Sequence, residues 1–163
     1  MPYATSTDLL FFGTAELSQL AAPEDNRVTG ELLRLTIEAG DRSAYTAAEI
    51  AAADAAMLRL EGVLDRASKR IDSYLAPRYP LPLPAELIAG SELGQACMDI
   101  SRFLLMEDTA TDIVKDRYDR TISWLRDISN NKASLGPVDT GVATPTGRPV
   151  LRTGVSGHAW DKY

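Results

Sequence analysis

Ile50, Ala53, Met57, Leu60, Leu64, Ala67, Ile71 and Tyr74 recur at alternating spacings of three and four. In an α-helix that spacing puts all eight on one stripe, because residues three and four apart share a side of the 3.6-residue turn. Glu49, Asp54, Arg59, Asp65, Arg66, Lys69 and Arg70 fall mostly off the stripe. Thr46-Ala47-Ala48-Glu49 opens the segment as a capping box, the Thr hydroxyl and Glu carboxylate each accepting a backbone N–H left unpaired at a helix start. The pattern predicts one helix over residues 46–76, about 45 Å long at 1.5 Å per residue. A stripe of this length needs a long partner, within the chain or in a neighbouring copy.

What stops that helix is proline. Pro77, Pro80, Pro82 and Pro84 fall within eight residues. Proline lacks the backbone donor and disfavours helical geometry in the residue before it, so the helix ends near Ala76. The alternation Pro80-x-Pro82-x-Pro84 predicts an extended connector, and a new helix restarts at Ala85 or Glu86 because proline is tolerated in a first turn. The chain therefore makes a rigid corner between two helices.

The remaining segments read as supports for these two. Tyr3 to Leu20 forms two short helical turns, the first capped by Thr5 with Asp8 and ended by Gly13 in a left-handed conformation. Thr14 caps the second, which carries Leu17 and Leu20 on one side. The run Leu9-Leu10-Phe11-Phe12 leaves no polar face and is expected to be mostly buried. Residues 29–39 suit a helix using Leu32, Leu33, Leu35 and Ile37, and Gly40-Asp41-Arg42-Ser43 reads as a loop. A second long helix is expected from Glu86 to about Met106, with Leu93, Cys97, Ile100 and Leu104 on one face. A third is expected from Asp112 to Ile128, with Val114, Tyr118, Ile122, Leu125 and Ile128 inward. The fold class is all-α: a compact bundle on one long helix and two others, with short N-terminal helices and an extended, mostly irregular C-terminal arm. The body spans residues 1–131 and the arm residues 132–163.

The arm differs in composition from everything before it. Five glycines and three prolines lie between Gly136 and Tyr163, and no helical period survives. Val150, Leu151 and Trp160 are nevertheless present, which a free tail does not need. With Arg152 and Tyr163 they mark an arm that becomes ordered on a partner; a short hairpin between Val142 and Leu151 is a further expectation. The net charge of −6 is also divided: residues 1–131 carry 13 basic and 21 acidic side chains, residues 132–163 four basic and two acidic. An acidic body argues against gripping nucleic-acid phosphates, which takes clustered Lys and Arg. Arg148, Arg152 and Lys162 suit the arm to acidic partners.

Catalytic signatures are missing from the sequence. It has no phosphate loop after a strand, no His-Glu-x-x-His and no nucleophile elbow, and no cofactor is expected. The single Cys97 excludes an internal disulfide, and His158 lies far from it in sequence, which argues against a His/Cys metal site. No apolar run approaches the ~20 residues of a membrane span, and Met1-Pro2-Tyr3-Ala4-Thr5 does not read as a secretory signal. Glu107, Asp108, Asp112, Asp116 and Asp119 could hold a divalent metal as nuclease acids do, or simply mark a helix start interleaved with Lys115, Arg117 and Arg120. Asp72 and Arg78 flank the corner, while Asp99 and Arg102 lie three apart on the second helix. An ion network of these four, tying corner to helix, is the expectation, because an unpaired buried charge is too costly.

Tyr3-Ala4-Thr5-x-x-Asp8-Leu9 with Phe12-Gly13-x-x-Glu16-Leu17, and Ile71-Asp72-x-Tyr74-Leu75-x-x-Arg78-Tyr79-x-Leu81-Pro82, resemble the neck proteins of Mu-like phages and prophages. So do Asp99-Ile100-x-Arg102, Arg117-Tyr118, Leu125-x-x-Ile128 and Ser134-Leu135-Gly136, all in the right order. The match covers most of residues 1–20 and 46–136; residues 23–45 look like an insertion, and a basic residue common near Phe11 is absent. The resemblance implies a head–tail connector of a tailed phage, a structural virion protein rather than an enzyme. Such proteins form a ring, usually of twelve copies, under the portal, and continue the DNA channel without binding DNA specifically. It implies the portal, neighbouring copies and a downstream neck or tail-terminator protein as partners, with the arm touching portal or neighbour. Two other classes remain open: a helical protein-binding module unrelated to virions, and a metal-dependent nuclease using the acids at 107–119.

Overall fold

The computed structural model describes residues 2–21, 27–106, 109–136 and 139. Every regular element among them is helical: a 3-10 turn Ser6–Phe11, then α1 (Thr14–Ala21), α2 (Gly30–Ile37), α3 (Ala47–Leu75), α4 (Ala85–Ala89), α5 (Leu93–Met106) and α6 (Asp112–Ser129). The protein is all-α and built on one long helix. α3 packs against the 3-10 turn, α1, α2, α5 and α6, so the bundle is arranged around it.

Its 29 residues follow the sequence pattern closely. The Glu49 carboxylate accepts from the Thr46 amide at 2.7 Å, the Thr46 hydroxyl accepts from the Glu49 amide at 3.3 Å, and helical geometry gives out at Ala76. Leu60, Leu64, Ala67 and Ile71 are buried, but Ile50, Met57 and Tyr74 are only half-buried, and Ala56, Val63, Ser68 and Leu75 also turn inward. A straight helix drifts relative to a strict heptad stripe, so the buried sector widens and the stripe's own ends rotate toward its edge. Facing it are Leu93, Cys97 and Ile100 of α5 and Ile122, Leu125 and Ile128 of α6. The Cys97 thiol is fully buried, and desolvation holds its pKa above the ordinary value. It is a packing residue.

Four local expectations need correction. The helix expected from Glu86 to Met106 is two helices, α4 and α5, separated at Gly90-Ser91-Glu92. There the Gly90 amide closes α4, and the Ser91 hydroxyl donates back to the Ile88 carbonyl at 2.9 Å. Gly13 does not end the first turn in a left-handed conformation. Its carbonyl instead accepts from the Glu16 and Leu17 amides, so it opens α1. Of the run Leu9–Phe12, Leu9 and Phe12 are buried while Phe11 is 84% exposed. The proline segment bends at Tyr79 and at Leu81-Pro82, which puts Tyr79 and Leu83 into the core instead of running straight.

Within residues 27–45, which are part of the segment expected as an insertion, Val28, Leu32, Leu33 and Thr36 pack into the core. Thr29 caps α2 by accepting from the Leu32 amide at 3.2 Å, and Leu32 and Leu33 are fully buried. Arg42 then ties the following loop to α3 through Asp54 at 2.5 Å.

Leu64 is 3% exposed at the middle of α3, with its carbonyl beside the Cys97 thiol. Leu64→Ala is expected to destabilise the fold by about 2–5 kcal/mol through lost transfer energy and the residual cavity. Urea unfolding measures this directly; a loss under ~1 kcal/mol would mean the site collapses around the deletion and is not tightly packed.

Candidate assembly site at the root of the C-terminal arm

The proline corner, the end of α6 and the start of the arm meet in one polar cluster. Tyr79 is carried inward by the bend after α3 and is 4% exposed. Its hydroxyl donates to the Asp139 carboxylate at 2.5 Å, and the Leu135 amide donates to the same oxygen at 3.0 Å. The Asp139 side chain is 2% exposed, and the Arg78 guanidinium lies 3.6 Å from it. Arg78 also donates to the carbonyls of Ile128 and Ala133, at 3.4 and 2.5 Å. Those carbonyls belong to the last turn of α6 and its exit, where the Ile128 carbonyl also accepts from the Asn131 amide at 2.9 Å and a cation meets the negative end of the helix dipole.

Two further residues lock this exit. Asn131 adopts a left-handed φ of 59° that turns the chain off α6. Gly136 has φ 142°, and a Cβ there would lie 2.7 Å from the Gly90 carbonyl oxygen, so only glycine fits. Leu135 is 2% exposed in the core. Leu135, Gly136 and the Asp139 side chain, which lie past residue 131, are therefore packed against the body.

The four charges expected as one network go to four separate places. The Asp72 carboxylate accepts from the Tyr3 hydroxyl, while the Tyr3 amide donates to Ser68 at 3.2 Å, pinning the N-terminal segment along α3. Arg78 goes to Asp139 and the end of α6. Asp99 accepts from Gln95 at 3.2 Å and lies 3.5 Å from the Thr121 hydroxyl, at a groove between α5 and α6 also lined by Glu92, Arg120 and Trp124. Arg102 pairs with Glu16 of α1 at 2.5 Å, a charge contact without an aligned N–H, and lies over the Phe12 ring at 5.3 Å. No Asp–Arg pair among these four links α3 to α5. Asp99 and Arg102 are about 60° apart around their helix, so they face different neighbours. Sequence reasoning missed Tyr3, Glu16, Tyr79 and Asp139 as the partners. All but Asp139 belong to the motifs that carry the resemblance, which was the available signal.

Of the acids considered for metal binding, Asp112 and Asp119 are exposed on α6, and Asp116 pairs with Arg120 at 2.8 Å. Among the described residues no three His, Cys, Asp or Glu side chains gather in a way that could hold a metal ion. Glu107 and Asp108 lie outside the described residues, as do the arm residues Val150, Leu151, Arg152, Trp160 and Tyr163 and the hairpin expected from Val142 to Leu151. No helix among the described residues is long and apolar enough to cross a membrane.

Two measurements test the cluster. Arg78→Ala removes the cation beside the Asp139 carboxylate and the side-chain donor to the Ala133 carbonyl, and is expected to cost about 2–4 kcal/mol in urea unfolding. A change under ~0.5 kcal/mol would mean water replaces Arg78 at no cost. The second measurement is alkaline stability. Burial, then the bond to Asp139, pushes the Tyr79 phenol up to about 12; burial, then the bond to Asp72, pushes Tyr3 upward as well. Each folded phenol keeps its proton above the ordinary pKa near 10, so this stability is complete below that pH and is lost as pH rises through the folded values. Between pH 10 and 11 each phenol is expected to contribute a slope of up to about 1.4 kcal/mol per pH unit. Tyr3→Phe with Tyr79→Phe should flatten it; an unchanged slope would mean that neither phenol is perturbed by the fold.

Comparison with known proteins places this geometry. The chain is 36% identical over 81 residues to the Mu-like prophage FluMu protein gp36 of Haemophilus influenzae, an alignment covering 50% of this chain and 55% of that protein. It is 32% identical over 92 residues to gene product J of Escherichia phage Mu, covering 56% and 63%. The aligned regions thus span little more than half of each of these relatives. The family described as Bacteriophage Mu, Gp36 matches residues 3–152, which take in the body, the corner and the root of the arm. The chain belongs to the Bacteriophage Mu Gp36 family.

Proposed function

We propose that this phage protein is a head–tail connector: a non-enzymatic virion protein that forms a ring of its own copies beneath the portal, in the neck, and continues the DNA channel. The observation that carries this reading is the convergence of the resemblance motifs on one corner. Tyr3 and Asp72 hold the N-terminal segment to α3, while Arg78, Tyr79 and Leu135 fix the place where the arm leaves the body. A rigid body with an arm rooted at a defined point suits an assembly protein that must reach a neighbour from a fixed position. The acidic balance of residues 1–131 suits a channel wall past which DNA slides. Its partners in this reading are the portal protein, neighbouring copies, probed by the arm through Val150, Leu151 and Trp160, and a downstream neck or tail protein. DNA passes without being gripped.

The test is a truncation placed after Asp139, which keeps the anchoring carboxylate. This chain is expected to stay folded and helical by circular dichroism but to leave heads and tails unjoined when it replaces the full-length protein during phage assembly. Labelled full-length protein should appear at the head–tail junction of finished particles in electron micrographs. Particles that assemble normally with the truncated chain would remove the arm from the mechanism, and label confined to the head shell or tail tip would remove the neck assignment. The body alone should show no measurable DNA binding at ~0.15 M salt.

A further inference from the structure

The root of the arm lies near the mouth of a groove. Gly136 packs against the Gly90 carbonyl, and Glu92, two residues on from Gly90, begins one wall of a groove of about 250 Å³ between α5 and α6. Glu92 and Asp99, seven residues apart, stand on the α5 wall, and the half-buried Trp124 lines the α6 wall. Asp99 is half-buried as well. It has Gln95 and Thr121 as hydrogen-bond partners but pairs with no Lys or Arg among the described residues. Arg120 also lines the groove, but it is paired with Asp116 at 2.8 Å. The groove thus offers two carboxylates and an indole ring with no cation to match them, a combination that suits guanidinium groups.

We propose that the segment Arg148-Pro149-Val150-Leu151-Arg152 of the same chain docks in this groove. Nine residues lead from Asp139 to Arg148, enough for about 30 Å of extended chain, whereas α5 rises only about 10 Å from Glu92 to Asp99. A chain entering from the Gly90 end meets Glu92 first and Asp99 second. Arg148 and Arg152, about 13 Å apart when extended, match that order and spacing, so Arg148 pairs with Glu92 and Arg152 with Asp99. Pro149 favours the extended backbone that this requires, in its own φ and in the residue before it. Extended chain also puts Arg148, Val150 and Arg152 on one side, which sets Val150 between the two ion pairs and against Trp124. The occupant is the chain's own arm because its root is fixed beside the groove, which gives it a far higher effective concentration there than the arm of another copy in solution. The contact holds the arm against its body until the portal or a neighbouring copy competes for it. That consequence rests on the connector reading; the contact itself does not.

Tryptophan fluorescence of the full-length chain tests it, because Trp160→Phe leaves Trp124 as the sole tryptophan. In that background, Arg148→Glu with Arg152→Glu is expected to raise acrylamide quenching of Trp124 about twofold, since the groove's acids then repel the arm. Arg148→Glu alone should give part of that rise, and adding Glu92→Arg, at an exposed position, should reverse it. Quenching unchanged by the double arm substitution would overturn the dock, and a rise that Glu92→Arg leaves in place would overturn the pairing assigned to it. Protection of Trp124 should survive dilution; protection lost on dilution would mean that another copy's arm fills the groove, and would overturn the contact within one chain. The measurement uses the isolated protein, so it separates this contact from the neck assignment. Unchanged quenching in a chain that still labels the head–tail junction would remove the dock alone, and the expected quenching in a chain that labels another part of the particle would remove the neck assignment alone.

Discussion

A carboxylate with only 2% of its side chain exposed has given up its water and needs polar partners in its place, and Asp139 is such a group. Meeting that requirement draws together three parts of the chain. Arg78 and Tyr79 come from the proline bend, the Leu135 amide from the strand of chain leaving α6, and Asp139 itself from the arm. Because Arg78 also donates to the carbonyls of Ile128 and Ala133, moving the corner would disturb the end of α6 as well as the contacts of the carboxylate. The end of α3, the end of α6 and the root of the arm are thus positioned by one set of polar contacts.

α3 carries the consequence through the rest of the molecule. Its inner face supplies the central side chains of the core, and its length sets the separation between the α2 end of the bundle, tied by Arg42 and Asp54, and the corner end, tied by Arg78. The outer face of α3 is exposed and largely small or charged, so the helix divides its circumference between core and solvent.

The helices were legible because their signals are local. Capping boxes at Thr5 and Thr46, the apolar spacing of α3 and α6, and the proline stop after Ala76 each act within a turn or two of chain. The interruption at Gly90 was missed because apolar spacing continues across it, although Gly90-Ser91 is itself a local helix-stop signal. The exposure of Phe11 likewise follows from which side of a short 3-10 turn meets α3. For the site, the charged residues were identifiable but their partners were not. Asp72, Arg78, Asp99 and Arg102 looked like one network because the first two flank the corner and the last two lie three apart on the helix after it; packing gives each a nearer partner in the N-terminal segment, the end of α6, the α5–α6 groove or α1. Partner choice among ions is a property of the assembled surface, not of spacing along the chain.

Where these ties fall bears on how a rigid body can direct an arm. Tyr3 with Ser68, Tyr3 with Asp72 and Tyr79 with Asp139 each join residues at least 60 positions apart, and all lie on the described body. They remove relative motion between the N-terminal segment, the corner and the arm's first residues before any partner is met. A segment that leaves from a fixed point in a fixed direction has a smaller volume to search, which raises its effective concentration at a site within reach and lowers it elsewhere. In the proposed connector, the neighbour that the arm reaches depends on the geometry at Gly136 and Asp139 as well as on the side chains further along. A substitution at Gly136 would act through that geometry: a side chain pressed against the Gly90 carbonyl must push the root aside, re-aiming the arm while every residue beyond it is unchanged.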